Sequence, residues 1–172
     1  MRRLLLLRHA KSDRPPGVAD IDRPLNPRGR RAAPAIAGYL DAEELRPDLA
    51  IVSPSARTRE TFAAVQDVFE GLPVQWERGI YEAPAAALLA IVRAAPDEAA
   101  GLLVVGHNPG LEDLAETLIG SGNREARRRI ATQFPTAALA VIDFEAPSWA
   151  AIAEEEGRLE RFVCPRDLGE DA

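Results

Sequence analysis

The chain has 172 residues and a hydrophobic content of 47%, which suit one compact domain, and we predict a single domain over residues 1–172. Its net charge of −6 argues against nucleic acid as a partner, and its single cysteine excludes an intrachain disulfide framework. No apolar run approaches a membrane span and the amino terminus lacks the layout of a signal peptide. We therefore expect a cytoplasmic protein without membrane contact.

Positive charge is concentrated in the first third of the chain. Residues 1–60 carry 12 Arg and Lys against 8 Asp and Glu, a balance of +4, whereas residues 61–172 carry 9 against 19, a balance of −10. A local positive region in an acidic protein favours a small anionic ligand over a long polyanion.

Short apolar runs predict the strands, and longer amphipathic stretches predict the helices. The predicted strands are 3–7, 48–52, 74–77, 101–105, 137–144 and 159–164. The predicted helices lie at roughly 27–44, 55–70, 84–95 and 110–119. This alternation predicts a three-layer α/β/α sandwich with a mainly parallel central sheet. The last two strands have no long helix between them, so we expect an antiparallel hairpin at an edge of the sheet.

Three helices are predicted to begin at a capping residue followed by proline. The pairs are Asn26-Pro27, Ser53-Pro54 and Asn108-Pro109. Helix starts carry unpaired N–H groups and a partial positive charge, and therefore suit anions. Residues 14–24, rich in Pro, Gly and Asp, are expected to form a loop over the carboxyl end of the first strand.

Four polar residues follow predicted strands or begin a predicted helix. Arg8 and His9 follow the first strand, Arg57 lies in the first turn of the second helix, and His107 follows the fourth strand. Because the carboxyl ends of parallel strands meet at one edge of a sheet, we expect these side chains to converge there.

A cluster of two guanidiniums and two imidazoles requires an anion, and phosphate offers the matching oxygens. Neighbouring cations lower the pKa of an imidazole, which keeps it neutral and nucleophilic, so the cluster predicts phosphoryl transfer to a histidine. Two alternatives are a structural core histidine and a metal site. The arginines would repel a metal ion, so we predict neither a metal nor another cofactor.

Four motifs in order resemble the histidine phosphatase superfamily, whose members have the phosphoglycerate mutase-like fold. They are Leu-Arg-His-Ala-Lys-Ser at 7–12, Arg-Pro-Leu at 23–25 followed by Gly29, Ser-Pro-Ser-Ala-Arg-Thr-Arg-Glu-Thr at 53–61, and Val-Gly-His-Asn-Pro at 105–109. The resemblance covers about residues 4–118 and is greatest to the small SixA-like phosphohistidine phosphatases.

The resemblance implies that His9 is the nucleophile and forms a phosphohistidine that water then hydrolyses. Arg8, Arg57 and His107 would hold the phosphoryl oxygens, with Asn108 as a further candidate. The SixA-like members act without a metal on phosphohistidine in proteins, particularly phosphorelay domains in signal transduction. A small phosphate ester or diphosphate is the alternative substrate, and a non-catalytic phosphate-binding module is the alternative function. The sequence does not determine the oligomeric state, and a monomer is compatible with it.

The chain departs from many members of the superfamily at two points. Ala10 stands where many have glycine, and the acidic proton donor is not evident. Glu82, after the third strand, is one candidate; Asp13, Asp20 and Asp22 in the first loop are the others. A phosphoramidate releases an imidazole, which needs less help from a general acid than an alkoxide does.

Overall fold

A computed structural model describes residues 1–170 of the chain. In that range the strands are β1 Arg2–Arg8, β2 Leu49–Val52, β3 Val74–Trp76, β4 Gly101–Gly106, β5 Ile119–Gly122, β6 Leu139–Phe144 and β7 Gly157–Val163. The α-helices are α1 Pro27–Ala42, α2 Ala56–Val68, α3 Ala85–Arg93, α4 Gly110–Leu118 and α5 Arg124–Thr132. Across these residues, no helix is both long and apolar enough to cross a membrane.

The strands form one sheet in the order β3-β2-β4-β1-β6-β7-β5. Strands β1, β2, β3 and β4 pair in parallel, and β6 runs antiparallel to both β1 and β7. The four leucines of β1, residues 4–7, are each at most 1% exposed. Leu4 and Leu6 pack into the core on one face of the sheet, and Leu5 and Leu7 pack into the core on the other. The predicted three-layer sandwich is thereby confirmed.

The two helical layers divide between the two cores. Helices α1 and α2 cover one face of the sheet and contribute Ile36 and Phe62 to its core. Helices α3 and α4 cover the other face and contribute Leu88 and Leu114. In each layer, burial of an apolar stripe against the sheet stabilises helices that would be marginal alone.

The predicted antiparallel pair is present, but it does not form the edge of the sheet. Strand β5, which we did not predict, pairs in parallel with β7 and occupies that edge, so both β6 and β7 lie inside the sheet. Its sequence, Ile-Gly-Ser-Gly, has low strand propensity. The glycines are required by close backbone contacts, because a Cβ on Gly120 would lie 1.8 Å from the carbonyl oxygen of Glu155.

Only the first of the three predicted helix caps is correct. The Asn26 side chain accepts a hydrogen bond from the N–H of Gly29 and caps α1. Helix α2 is capped instead by Ser55, and α4 begins at Gly110 without a side-chain cap. Ser53 and Asn108 make other contacts, both in the functional site.

Candidate active site

The carboxyl ends of β1, β2 and β4 lie side by side at one edge of the sheet. Arg8 pairs with Gly106, and the backbone N–H of His9 donates to the carbonyl of Gly106 over 3.1 Å. This register places the rings of His9 and His107 with their centroids 5.4 Å apart. The two imidazoles therefore share one site, as expected for residues that follow parallel strands.

A pocket of about 530 Å³ opens at this edge and carries several cationic groups. Its lining residues are Arg8, His9, Lys11, Ser12, Asp13, Arg14, Arg23, Arg57, His107, Asn108 and Thr136. The lining contains five Arg or Lys side chains and one Asp, so it attracts an anion. Within the part of the chain that the structure describes, none of the lining side chains is aliphatic or a large aromatic.

The tautomer of His9 follows from its hydrogen bond to the backbone. Its Nδ1 lies 2.7 Å from the carbonyl oxygen of Ala10. A carbonyl oxygen can only accept, so Nδ1 carries the hydrogen and Nε2 keeps its lone pair. A second contact holds the same turn, because the N–H of Ala10 donates to Oγ1 of Thr61 over 2.9 Å. His9 therefore has the electronic form that a nucleophile requires.

His107 has a partner of a different kind. Its Nε2 lies 2.8 Å from Oγ of Ser53, and its Nδ1 is buried with no hydrogen-bond partner among the described residues. A hydroxyl can donate or accept, so this ring is free to present an N–H to an anion. The Tyr81 ring packs edge-on against His107, with centroids 5.5 Å apart. The environments thus favour His9 as the nucleophile and His107 as a donor.

Both imidazoles are held in the neutral form. The pKa of His9 is lowered to about 3, chiefly by burial, with His107, Arg57 and Arg8 acting in the same direction and the Ala10 carbonyl opposing them. Burial and then Arg57 lower the pKa of His107 to about 4. Neutral rings have the lone pair needed for attack on phosphorus at any pH near neutrality.

We expect the two rings to titrate at about pH 3 and about pH 4 in the folded protein rather than near the ordinary value of 6.5. Protonation of His9 removes its lone pair and should lower kcat/KM. The pH at which kcat/KM falls for this reason should therefore lie well below 6.5. Since the chain has two histidines, NMR of ¹⁵N-labelled imidazoles resolves both. Unfolded protein in urea is the control and should titrate near 6.5. Titration of the folded His9 ring between pH 6 and 7 would contradict this expectation.

Arg57 enters the pocket from the first turn of α2 and contacts the loop after β1. Its Nη1 donates to the carbonyl of Asp20 over 2.7 Å, and its Nη2 donates to the Asp20 carboxylate over 3.1 Å. Arg57 is only 6% exposed. The loop over the strand end, predicted at residues 14–24, therefore positions this guanidinium beside the two imidazoles.

Arg8 and Asn108 meet at one backbone carbonyl. Nη1 of Arg8 and Nδ2 of Asn108 both donate to the carbonyl oxygen of Phe134, over 3.0 and 2.8 Å. Nε of Arg8 is buried without a partner in the described chain, so it remains available to an anion. Asn108 also donates to Glu112 over 3.2 Å, which engages its amide hydrogens. Its contact with phosphate stays a prediction, and its visible role is to hold the Phe134 carbonyl.

Comparison with known proteins agrees with this geometry. A family model for the histidine phosphatase superfamily (branch 1) matches residues 4–88. A candidate phosphohistidine phosphatase SixA from Agrobacterium tumefaciens is 34% identical, covers 95% of this chain and 98% of its own, and superposes with a TM-score of 0.81. The chain belongs to the histidine phosphatase superfamily. A second candidate SixA structure, from Nakamurella multipartitia, is 30% identical, covers 95% and 96%, and superposes with a TM-score of 0.78.

This histidine phosphatase also resembles an uncharacterised protein of Mycobacterium leprae. The two are 35% identical over 167 residues, which cover 93% of this chain and all of that protein. The family and its SixA-like neighbours support phosphatase activity, and they confirm the resemblance and the fold that the sequence predicted.

The candidate proton donors of this histidine phosphatase differ in position. Glu82 is exposed and lies outside the pocket lining, and Asp22 is likewise exposed and outside it. Asp20 accepts hydrogen bonds from Tyr81, Arg23 and Arg57, which hold the pKa of its carboxyl well below the usual range. Asp13 lines the pocket and is exposed. Glu82 therefore lies outside the pocket lining, whereas Asp13 belongs to it, and the identity of the proton donor stays a prediction.

Hydroxyl groups after β2 have roles that the sequence analysis missed. Oγ1 of Thr61 accepts from Ala10 and donates to the carbonyl of Arg57 over 2.7 Å, so it links the His9 turn to α2. Ser53, interpreted from sequence as a helix cap, contacts His107 instead. The sequence does contain an indication of these roles, because residues 53–61 carry more hydroxyl side chains than the capping of one helix requires.

No set of three or more His, Cys, Asp or Glu side chains within residues 1–170 is grouped as metal ligands. The prediction that catalysis needs no metal remains to be tested by assay with a chelator.

Proposed function

We propose that this histidine phosphatase hydrolyses phosphohistidine in a protein substrate through a covalent phosphohistidine on His9. The observation that carries the proposal is the His9 ring, whose Nε2 lone pair is fixed by the Ala10 carbonyl in a pocket lined by Arg8, Arg57 and His107. In the first step Nε2 attacks phosphorus, and the P–N bond of the substrate breaks. In the second step water attacks the phosphoenzyme, which releases inorganic phosphate and restores neutral His9.

Charge neutralisation supplies most of what phosphoryl transfer requires. Arg8 and Arg57 present guanidinium N–H groups to the equatorial oxygens, and His107 adds a neutral donor. Asp20 keeps Arg57 in place through its carbonyl and its carboxylate. The arginines also disfavour protonation of His9, so the same cations bind the substrate and preserve the nucleophile.

The position of the acidic residues supports a phosphoramidate over an ester. An alkoxide leaving group needs a proton from a general acid, and the hydrogen bonds to Asp20, which lower the pKa of its carboxyl, disfavour that role for it. The substrate's imidazole leaves as a neutral ring when its other nitrogen, the one not bonded to phosphorus, already carries a proton, and an ordinary imidazole gains that proton at about pH 6.5. The leaving histidine therefore departs neutral without a dedicated donor.

The composition of the pocket wall supports a protein substrate. The lining has charged and polar side chains for a phosphoryl group but, within the described residues, no apolar wall for the body of a metabolite. A phosphorylated side chain presented by a phosphorelay domain needs only its tip bound there. Its remaining contacts would fall on the rim, where Lys11 and Arg14 are exposed.

A substrate panel tests the proposal. We expect the highest kcat/KM for a phosphohistidine-bearing phosphorelay domain, lower values for phosphohistidine as a free amino acid, and the lowest for a phosphoserine peptide and sugar phosphates. Each assay is run with and without EDTA, and we expect no difference. Better hydrolysis of a sugar phosphate or a diphosphate would favour the small-molecule alternative. Turnover of none of these substrates would favour a phosphate-binding module.

A further inference from the structure

Ser53 is a fully buried residue directly after β2, and its backbone is fixed on both sides. Its N–H donates to the carbonyl of Val105 over 3.1 Å, and its carbonyl accepts from Oγ1 of Thr58 over 2.6 Å. These bonds fix the backbone from which the side chain projects, and complete burial restricts the side chain itself. Its hydroxyl is consequently held against His107.

The partners of the Ser53 hydroxyl determine which way it donates. On one side is Nε2 of His107 at 2.8 Å, and on the other is the backbone N–H of Ser55 at 3.5 Å. The amide can only donate, so the hydroxyl hydrogen is left for the imidazole. If His107 instead donated to Ser53, the hydrogen of the Ser53 hydroxyl would be buried without an acceptor among the described residues.

We propose that Ser53 is a positioning residue: its hydroxyl donates to Nε2 of His107 and thereby holds that ring in the tautomer with hydrogen on Nδ1. The unpartnered Nδ1–H is then the group that meets a phosphoryl oxygen. In the other tautomer Nδ1 would present a lone pair to the anion and repel it. The part of this inference that concerns catalysis rests on the proposed phosphatase chemistry, whereas the tautomer itself does not.

The tautomer matters because the ring is neutral at physiological pH. Burial and Arg57 lower the pKa of His107 to about 4, so protonation does not supply the second N–H. A hydrogen-bond partner on the opposite nitrogen must select which nitrogen carries the hydrogen. Arg8 and Arg57 are the cations that face this ring, and Asp20 is the nearby anion.

NMR of ¹⁵N-labelled histidine tests the proposal without an activity assay. At pH 7 we expect His107 to show a protonated Nδ1 and an unprotonated Nε2, with the two histidines assigned by a His9→Gln variant. In Ser53→Ala the hydrogen should move to Nε2, and kcat should fall roughly 10- to 100-fold with a smaller change in KM, since the loss of one buried hydrogen-bond partner has an effect of this size.

Ser55→Ala is the matched control, because the Ser55 hydroxyl is equally buried in the same segment but caps α2 and contacts Thr58 rather than His107. It should lower stability and leave the His107 tautomer unchanged. Ser53→Cys, which keeps a weak donor, should partly restore the wild-type spectrum and kcat.

Hydrogen on Nε2 of His107 in the wild-type protein would overturn the proposal, even if Ser53→Ala fails to fold. An unchanged spectrum in a folded Ser53→Ala would also overturn it. If the protein hydrolysed none of the phosphorylated substrates, the proposed function would be wrong. The NMR spectrum of His107 would still show whether the proposed tautomer is present.

Discussion

Replacement of His9 by Ala is expected to lower turnover of phosphohistidine protein by about 10⁴-fold or more, the size of loss seen when a nucleophile is removed. The variant keeps the arginines that bind phosphate but lacks the Nε2 lone pair. Substrate should therefore bind without being hydrolysed. Single-turnover kinetics with the phosphorylated domain measure the loss, and thermal unfolding checks that the fold is retained.

His107→Ala provides the comparison that separates the two imidazoles. It removes a donor to the phosphoryl oxygens and should slow the reaction, but His9 should still become phosphorylated. If His9→Ala kept wild-type activity, or if only His107→Ala abolished phosphate transfer to the enzyme, the assignment of the nucleophile would be wrong.

Arg57→Ala should lower kcat/KM by about 10²- to 10³-fold, since each donor that stabilises developing charge contributes on this scale. The guanidinium is buried beside both imidazoles, so no solvent cation replaces it. Arg59→Ala is a matched control on the same helix, because that side chain is exposed, stacks on Trp76 and lies outside the pocket lining. It should retain wild-type activity.

Two further variants separate the charge of Arg57 from its anchoring role. Arg57→Lys keeps the charge but loses the planar, multidentate donor set, so we expect an intermediate loss. Asp20→Asn removes the carboxylate partner while leaving the backbone contact that Asp20 makes with Arg57. A decrease in Asp20→Asn as large as that in Arg57→Ala would show that loop anchoring, rather than phosphate binding, accounts for the effect.

The parts of the fold that the sequence predicts well are those where burial alone decides the structure. Four consecutive leucines suit a central strand that is covered on both faces, and β1 is that strand. The polar residues that follow it and β4 must then lie at the same edge. This reasoning located His9, Arg8 and His107 correctly relative to one another.

The parts that the sequence does not predict depend on contacts between distant segments. Strand β5 has a glycine-rich sequence because its backbone packs against the segment near residue 155, and nothing local signals this contact. Ser53 looks like a helix cap by its position before proline, but its hydroxyl is directed to His107, which lies 54 residues away. Asn108 likewise meets Phe134 rather than its own helix.

The electrostatics of the site explain how an arginine-rich pocket can contain a nucleophile. Cations usually make an imidazole less basic, and burial acts in the same direction, so His9 and His107 remain neutral beside Arg8 and Arg57. The Ala10 carbonyl opposes this effect only in part and instead selects the tautomer of His9. Neutrality and tautomer are therefore determined by different neighbours.

Trapping the phosphoenzyme tests the central claim most directly. The protein is mixed with an aryl phosphate, denatured in alkali within the first turnover, and mapped by peptide mass spectrometry. We expect one acid-labile phosphate per chain, located on His9 and absent from His9→Ala. Hydrolysis of the substrate without such a phosphate, or with the phosphate on another residue, would contradict the account.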